Sequence, residues 1–185
     1  GSDDSLLITG SGTTYSNANL EIGYSLGATG NQVRVEQGAH LYTEDVRLGR
    51  DTGAGENVLT VTGNGTMWTH AGEDVWVGDA WHYDGGSITG GHNRLVVSDQ
   101  AEAYLDSGLI VSRHSEAGGN EVLVDNAELT VVGSAQIGSN NSGSLALSNK
   151  ASMVVGGDMT VANQGSASAV VDDSSLTVSS NFFMA

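Results

Sequence analysis

The chain has 185 residues, no cysteine, no proline and a net charge of −16. Its length allows one domain or one stretch of a repeat array, and the lack of cysteine excludes disulfides, thiolate metal sites and a cysteine nucleophile. The excess of 22 Asp and Glu over 6 Lys and Arg argues against nucleic acid and anionic membrane surfaces as partners. No apolar run approaches the ~18 residues of a membrane-spanning helix, so we expect no membrane insertion by this segment.

The two ends of the chain suggest an excerpt. Gly1 and Ser2 are what a cloning site leaves behind, so we expect residues 3–185 to form the natural segment, as a single repeat domain. Neither end shows an obvious polar cap, which predicts that the segment is a piece of a longer solenoid.

A short β-branched strand recurs along the whole chain, and four of its copies open with asparagine. The opening residues are Asn31, Asn57, Asn93 and Asn120, and the copies end at Ile8, Val35, Val61, Val97, Val124, Leu147 and Val171. Successive ends are 27, 26, 36, 27, 23 and 24 residues apart. A second strand ends 13 to 16 residues after each of the first six, and a small residue follows it: Gly23, Gly49, Gly78, Ser112, Gly138 or Ala162. Such a period is typical of stacked repeats.

Between these two strands lies a further apolar position, seven residues beyond each first-strand end. It is occupied by Tyr15, Tyr42, Trp68, Tyr104, Val131, Val154 and Val178. Because valine offers a sugar ring nothing to stack on, we predict that this column lies in the core rather than forming an exposed aromatic platform. Each repeat is therefore predicted to contain three short strands separated by turns.

Stacking such repeats in register gives an all-β fold, a single-stranded parallel β-helix of about six to seven coils. A turn of about 24–27 residues is longer than the ~18 of the left-handed hexapeptide form, so we expect a right-handed helix. One inward column is predicted to contain Leu6, Val33, Leu59, Leu95, Val122 and Leu145. We expect the asparagines to form a ladder, because Asn tolerates a left-handed turn and its amide can bond its copies above and below.

The pattern stands most clearly in the run from Asn57 to Trp68, with its Gly-Asn-Gly turn, followed by Val75–Gly78. It resembles the passenger repeats of type V secreted autotransporters and the related repeats of PEP-CTERM-type surface proteins. The resemblance implies a right-handed β-helix at the bacterial cell surface or secreted across the outer membrane, serving as a stalk or adhesin. The last three coils keep only the strand spacing.

Coil three carries an insertion, residues 79–92, that no other coil has. Aromatic rings beside charged groups suit a carbohydrate, whose apolar faces stack and whose hydroxyls bond charges. If the chain binds a ligand, we expect this loop to do so, with neighbours from coils two and four. The predicted ligand-binding residues are Trp81, His82, Tyr83, Asp84, Arg50, Arg113 and His114. The alternatives are a loop that folds its rings onto the flank, and a transition-metal site at His82, Asp84 and His92.

Two acidic pairs occupy corresponding places in adjacent coils: Glu44 with Asp45, and Glu73 with Asp74. In register they would repel, and a bound Ca²⁺ would relieve this. The alternative is that both pairs face water and are screened. The glycine-rich calcium nonapeptide is absent, so we predict no cofactor, with these four residues as the one calcium candidate.

Many β-helices cut polysaccharides, so catalysis must be considered. A hydrolase needs two carboxylates about 5–10 Å apart, and Asp51, Asp84 and Glu116 are the set that stacking would bring nearest to one another. A lyase needs a strong base, and Lys150 lies far along the chain from the other basic groups.

The sequence favours a non-enzymatic module of a surface-exposed or secreted protein. We expect it to act as a stalk or adhesin that contacts cell-surface glycans or proteins. The two alternatives are a polysaccharide hydrolase or lyase, and a scaffold that associates with itself.

Overall fold

The computed structural model describes residues 1–79, 91–114 and 118–185, and all regular secondary structure in these ranges is β-strand. In chain order the first ten strands are β1 (Ser5–Thr9), β2 (Thr14–Ile22), β3 (Gln32–Glu36), β4 (His40–Leu48), β5 (Val58–Thr62), β6 (Met67–His70), β7 (Val75–Val77), β8 (Arg94–Ser98), β9 (Glu102–Leu105) and β10 (Leu109–Val111). The others are β11 (Asn120–Asp125), β12 (Glu128–Val131), β13 (Ala135–Ile137), β14 (Gly143–Ser148), β15 (Ser152–Val155), β16 (Met159–Val161), β17 (Ala167–Val171), β18 (Ser175–Val178) and β19 (Phe182–Met184).

The first strand of every repeat joins one parallel sheet of seven strands, in the order β1, β3, β5, β8, β11, β14, β17. Val35, Val61 and Val97 are partners in this first sheet and are fully buried. The predicted column from Leu6 to Leu145 consists of successive register partners. The chain is therefore a parallel β-solenoid of about six turns, which confirms the predicted architecture.

The second sheet has twelve strands and changes its form along the axis. β2 and β4 are continuous strands of nine residues, whereas each later coil uses two short strands. The prediction of three strands per repeat is thus wrong for coils one and two. The corner begins in coil three, where Val75 follows His70 by five positions, whereas Val46 follows Thr43, the partner of His70, by three. A Cβ on Gly72 would lie 1.8 Å from the carbonyl oxygen of Glu44, so glycine lets the chain turn this close to coil two.

The predicted aromatic core column is wrong in register. Tyr42 and Tyr104 lie on the outer face, 41% and 44% exposed, while Trp68 is buried. The true inward column is Tyr15, Leu41, Trp68, Ala103, Leu129, Met153 and Leu176. The turn after the first strand varies in length between coils, and a shift of one residue moves a side chain to the other face.

The asparagine ladder is confirmed, and its members are buried. The Oδ1 atom of Asn57 accepts the backbone N–H of Asn31 at 3.1 Å and its Nδ2 at 2.9 Å, and Asn93 and Asn120 repeat the pattern. The left-handed conformation falls on the preceding residue instead: Gly30, Glu56, His92 or Gly119. None of these asparagines has a positive φ, so their role in the ladder is to form these hydrogen bonds rather than to adopt a left-handed turn.

Candidate functional site

The core of the predicted ligand site lies outside the described residues. Trp81, His82, Tyr83 and Asp84 belong to residues 80–90, and Glu116 belongs to residues 115–117. The described part of the predicted site consists of Arg50, Arg113 and His114, with Asp51 from the predicted catalytic set.

Arg50 and Arg113 follow strand ends at equivalent positions but contact different groups. Arg50 forms an ion pair with Glu21 at 2.9 Å, and its guanidinium lies 4.7 Å from the centre of the Tyr24 ring. Arg113 bonds Asp79 at 3.2 Å. The ion pair of Arg50 therefore joins it to coil one, and that of Arg113 joins it to coil three.

Asp79 is the centre of a charged cluster that the sequence interpretation missed. Its carboxylate is fully buried and lies 3.2 Å from Arg113 Nη1 and 3.7 Å from Arg47 Nη1. Both guanidiniums also cover the Trp76 ring, at 4.5 Å for Arg47 and 5.6 Å for Arg113. Arg47, Trp76, Asp79 and Arg113, here called the Asp79 cluster, thus join coils two, three and four. Part of it depends on the strand register, in which Arg47 is the direct partner of Trp76.

Two buried polar atoms of this cluster have no hydrogen-bond partner among the described residues: Asp79 Oδ2 and Trp76 Nε1. The Asp79 oxygen still lies within ion-pair distance of Arg47. A buried carboxylate between two guanidiniums is held by charge, and the arrangement therefore fastens three coils together at the point where the insertion begins.

His114 adjoins this cluster, and its pKa is lowered from the usual 6.5. Burial of the ring is the main cause, because it disfavours the charged imidazolium. The carboxylate of Asp79 acts in the opposite direction, and the guanidinium of Arg113 lowers the pKa further. The neutral ring is thus favoured at this place in the fold.

Three of the four acidic side chains of the calcium prediction have protein partners, and the fourth, Glu44, is exposed. Asp45 bonds Arg47 Nε at 3.3 Å, and Glu73 lies 3.7 Å from Arg47 Nη2. Asp74 accepts the backbone N–H of Gly108 at 2.8 Å. Arg47 therefore relieves the repulsion that suggested a cation. In the parts of the chain that the structure describes, no three metal-ligating side chains come together.

Of the three predicted catalytic carboxylates, only Asp51 is described. Its Oδ1 accepts the N–H of Thr52 at 2.7 Å, inside its own turn. This bond is a local turn contact, and it gives Asp51 the same role that Asp residues have in many surface turns.

The outer face of the second sheet carries exposed aromatic side chains that were predicted to lie in the core. Tyr42, Thr69 and Tyr104 are successive register partners in β4, β6 and β9, and are here called the tyrosine face. The two tyrosines are two strand spacings apart, about 9.6 Å. The His40 ring lies 6.4 Å from that of Tyr42 at a tilt of 58°.

A pocket adjoins the tyrosine face on the side where β9 and β12 begin. Its polar lining residues are Asn64, Gln100, Glu102, Asn126, Glu128 and Lys150, here called the polar pocket. Glu102 and Glu128 are direct register partners, so two like charges stand side by side. Glu102 is two residues from Tyr104 on the same side of β9, so the pocket and the face are continuous.

No protein-family model, curated protein or solved structure matches the chain. Within residues 1–79, 91–114 and 118–185 there is no helix with the length and hydropathy needed to cross a membrane.

Proposed function

We propose that this chain is a rigid, non-enzymatic stalk segment of a surface-exposed or secreted bacterial protein. One observation carries the proposal: equivalent residues form unbroken columns through every coil of the first sheet, from Leu7 in β1 to Val170 in β17. The resemblance to autotransporter passenger repeats and the acidic, cysteine-free composition support it.

The stiffness follows from the direction of the bonds. Backbone hydrogen bonds between parallel strands run along the solenoid axis, so bending would have to stretch several of them at once. The asparagine ladder adds side-chain bonds along the same direction, inside the core. The Asp79 cluster ties together three coils where the repeat is interrupted by its insertion.

Distance measurements between spin labels test this proposal, and the lack of native cysteine makes the labelling specific. Leu7 and Val170 share one outward column and are each 55% exposed. In Leu7→Cys/Val170→Cys, six strand spacings predict one narrow distribution near ~29 Å. Leu7→Cys/Leu123→Cys, four spacings apart, should give ~19 Å.

The second pair does not include the final coil, so it distinguishes bending of the whole solenoid from loosening of that coil alone. A broad or two-peaked distribution in both pairs contradicts a rigid stalk. A reducing-sugar assay over a panel of polysaccharides addresses the enzyme alternative, and we expect no release of reducing ends. Release that disappears in Asp51→Asn would favour a hydrolase over a stalk.

A further inference from the structure

We infer that the tyrosine face and the polar pocket together form a binding site for an uncharged polysaccharide chain. This site includes no residue of the coil-three insertion and does not depend on the stalk proposal. It consists of described residues on coils two to six.

The tyrosine face offers the stacking surfaces. Tyr42 and Tyr104 are 41% and 44% exposed on the outer face, whereas Trp68, on the strand between them, is buried. Thr69 between them is short, so the space over it is open and lined by a hydroxyl. The separation of about 9.6 Å corresponds to a two-ring repeat of an extended pyranose chain, so alternate sugar rings would meet a tyrosine.

The outer column continues along the axis with Thr130, Val154 and Thr177. Such a row of hydroxyls and small apolar groups is straight and repeats at each coil. A linear polymer that lies along the axis can follow it, whereas a compact ligand would use only one part of it.

The polar pocket offers the hydrogen bonds. Amides such as Asn64, Gln100 and Asn126 both donate and accept, which suits sugar hydroxyls. Glu102 and Glu128 face the same space, and the repulsion between their like charges costs stability. A hydroxyl-bearing ligand would donate to both carboxylates and offset this cost.

Charge selects the class of polysaccharide. The chain carries a net charge of −16, and two carboxylates against one ammonium line the pocket. Uronates, sulfated glycans and phosphate-containing polymers would be repelled. The ligand is therefore an uncharged glycan.

Isothermal titration with uncharged hexasaccharides tests the site: β-1,4-linked glucose, mannose and N-acetylglucosamine, with a polygalacturonate oligomer as the anionic comparison. We expect at least one uncharged probe to bind and the anionic one not to. Tyr42→Ala/Tyr104→Ala should weaken binding by about thirtyfold, from two lost stacking contacts. Glu102→Gln should weaken it less, because the amide keeps one acceptor.

The matched control is Tyr24→Ala, which removes an exposed tyrosine of coil one that stacks on Arg50. It should leave the affinity unchanged. Urea denaturation of each variant shows that a loss of binding is not a loss of fold. The stalk distances are measured separately, so failure of one proposal does not imply failure of the other.

Three results would overturn the inference. The first is no binding of any uncharged probe. The second is binding that survives in Tyr42→Ala/Tyr104→Ala but is lost in Trp81→Ala/Tyr83→Ala, which would assign it to the insertion. The third is a dimer in sedimentation velocity that Tyr42→Ala/Tyr104→Ala abolishes, which would make the face a contact between copies of the chain.

Discussion

The amide of Asn57 packs directly against Gly23, where a side chain would otherwise lie: a Cβ on Gly23 would be 2.2 Å from Nδ2 of Asn57. The relationship recurs in each of the next two coils, with 2.3 Å for Gly49 and Asn93, and 2.0 Å for Gly78 and Asn120. In each pair the asparagine opens the strand two coils beyond the glycine. The glycine that closes a strand and the asparagine that opens another are therefore one structural unit.

The exception supports this rule. In the next coil Ser112 replaces the glycine, and no asparagine stands two coils further on, where Gly143 opens the strand. The Ser112 hydroxyl instead accepts Asn120 Nδ2 at 3.0 Å and donates to the carbonyl of Ser142 at 2.6 Å. A side chain is thus tolerated at the closing position when the asparagine is absent.

The first prediction compares two glycines of coil one. Gly23 and Gly27 have similar left-handed φ angles of 76° and 68°, but nothing lies within 4 Å of a Cβ on Gly27. Both alanine substitutions bear the strain of the left-handed conformation, about 1 kcal/mol. Gly23→Ala also displaces Asn57, so we expect it to lose about 2 kcal/mol more of unfolding free energy than Gly27→Ala. Urea denaturation measures the difference, and equal losses would contradict the proposed unit.

The second prediction removes one member of the ladder. Asn57→Ala leaves the backbone N–H and the amide of Asn31 without their buried acceptor, so we expect a loss of about 3 kcal/mol in urea denaturation. Asn19→Ala, at an exposed position of β2, should change stability by less than about 0.5 kcal/mol. In the Asn57→Ala background, Gly23→Ala should cost no more than Gly27→Ala. A full additive cost there would show that the two residues are independent.

The first sheet is predictable from sequence because its strands carry their own markers. Asn57 and Asn93 open strands of the same length, so alternation places Leu59 and Val61 inward without further information. The second sheet lacks such a marker. From the end of the first strand, six residues lead to Leu41 and seven to Trp68, and a fixed offset therefore placed Tyr42 inside.

The Asp79 cluster is hidden from sequence for a different reason. Asp79 is a single acidic residue at the start of an insertion, and its partners come from other coils, 32 residues before it in Arg47 and 34 after it in Arg113. The register of Arg47 with Trp76 and the backbone bond from the Arg113 N–H to the carbonyl of Gly78 bring them together. The predicted loop site stays a prediction, because residues 80–90 and 115–117 lie outside the described residues.

The third prediction concerns a buried polar network in the core. The Thr43 hydroxyl accepts Trp68 Nε1 at 2.9 Å and lies 3.1 Å from Nδ1 of His70. The other nitrogen of His70 bonds the carbonyl of Glu73, an acceptor only, so the neutral tautomer that fits both bonds has its proton on Nε2 and accepts from Thr43 at Nδ1. Thr43→Val deprives both rings of their partner and should cost about 2–4 kcal/mol in urea denaturation.

Thr43→Ser is the matched control, because it keeps the hydroxyl and removes one methyl group. We expect it to cost about 1 kcal/mol, the value of a small buried apolar group. If the two substitutions destabilise equally, the hydroxyl contributes nothing and the network has only a packing role.

The fourth prediction tests the Asp79 cluster as a clamp across three coils. Asp79→Ala leaves the guanidiniums of Arg47 and Arg113 facing each other without the buried carboxylate, so we expect a loss of about 3 kcal/mol in urea denaturation. Asp106→Ala removes an exposed acidic residue and should change stability by less than about 0.5 kcal/mol. Because both substitutions remove one negative charge, a comparable effect of the two would show that Asp79 does not act as a clamp.

The fifth prediction follows from the lowered pKa of His114. An unfolded chain binds a proton at this residue as the pH falls through 6.5, whereas the folded chain resists protonation until a lower pH. The unfolded state therefore binds more protons in this window, and acidification lowers the unfolding free energy. Above 6.5 both states are neutral at His114 and the effect disappears. His114→Gln should make the dependence of stability on pH flatter below this value.

An NMR titration of the His114 ring separates the causes of this shift. The wild-type pKa should lie below 6.5 because burial of the ring disfavours its charge. Asp79→Asn removes the opposing carboxylate and should lower the pKa further, whereas Arg113→Gln removes a like charge and should raise it. A pKa that rises in Asp79→Asn would mean that this substitution opens the cluster to water, and that the carboxylate acts on His114 through the burial of the ring more than through its charge.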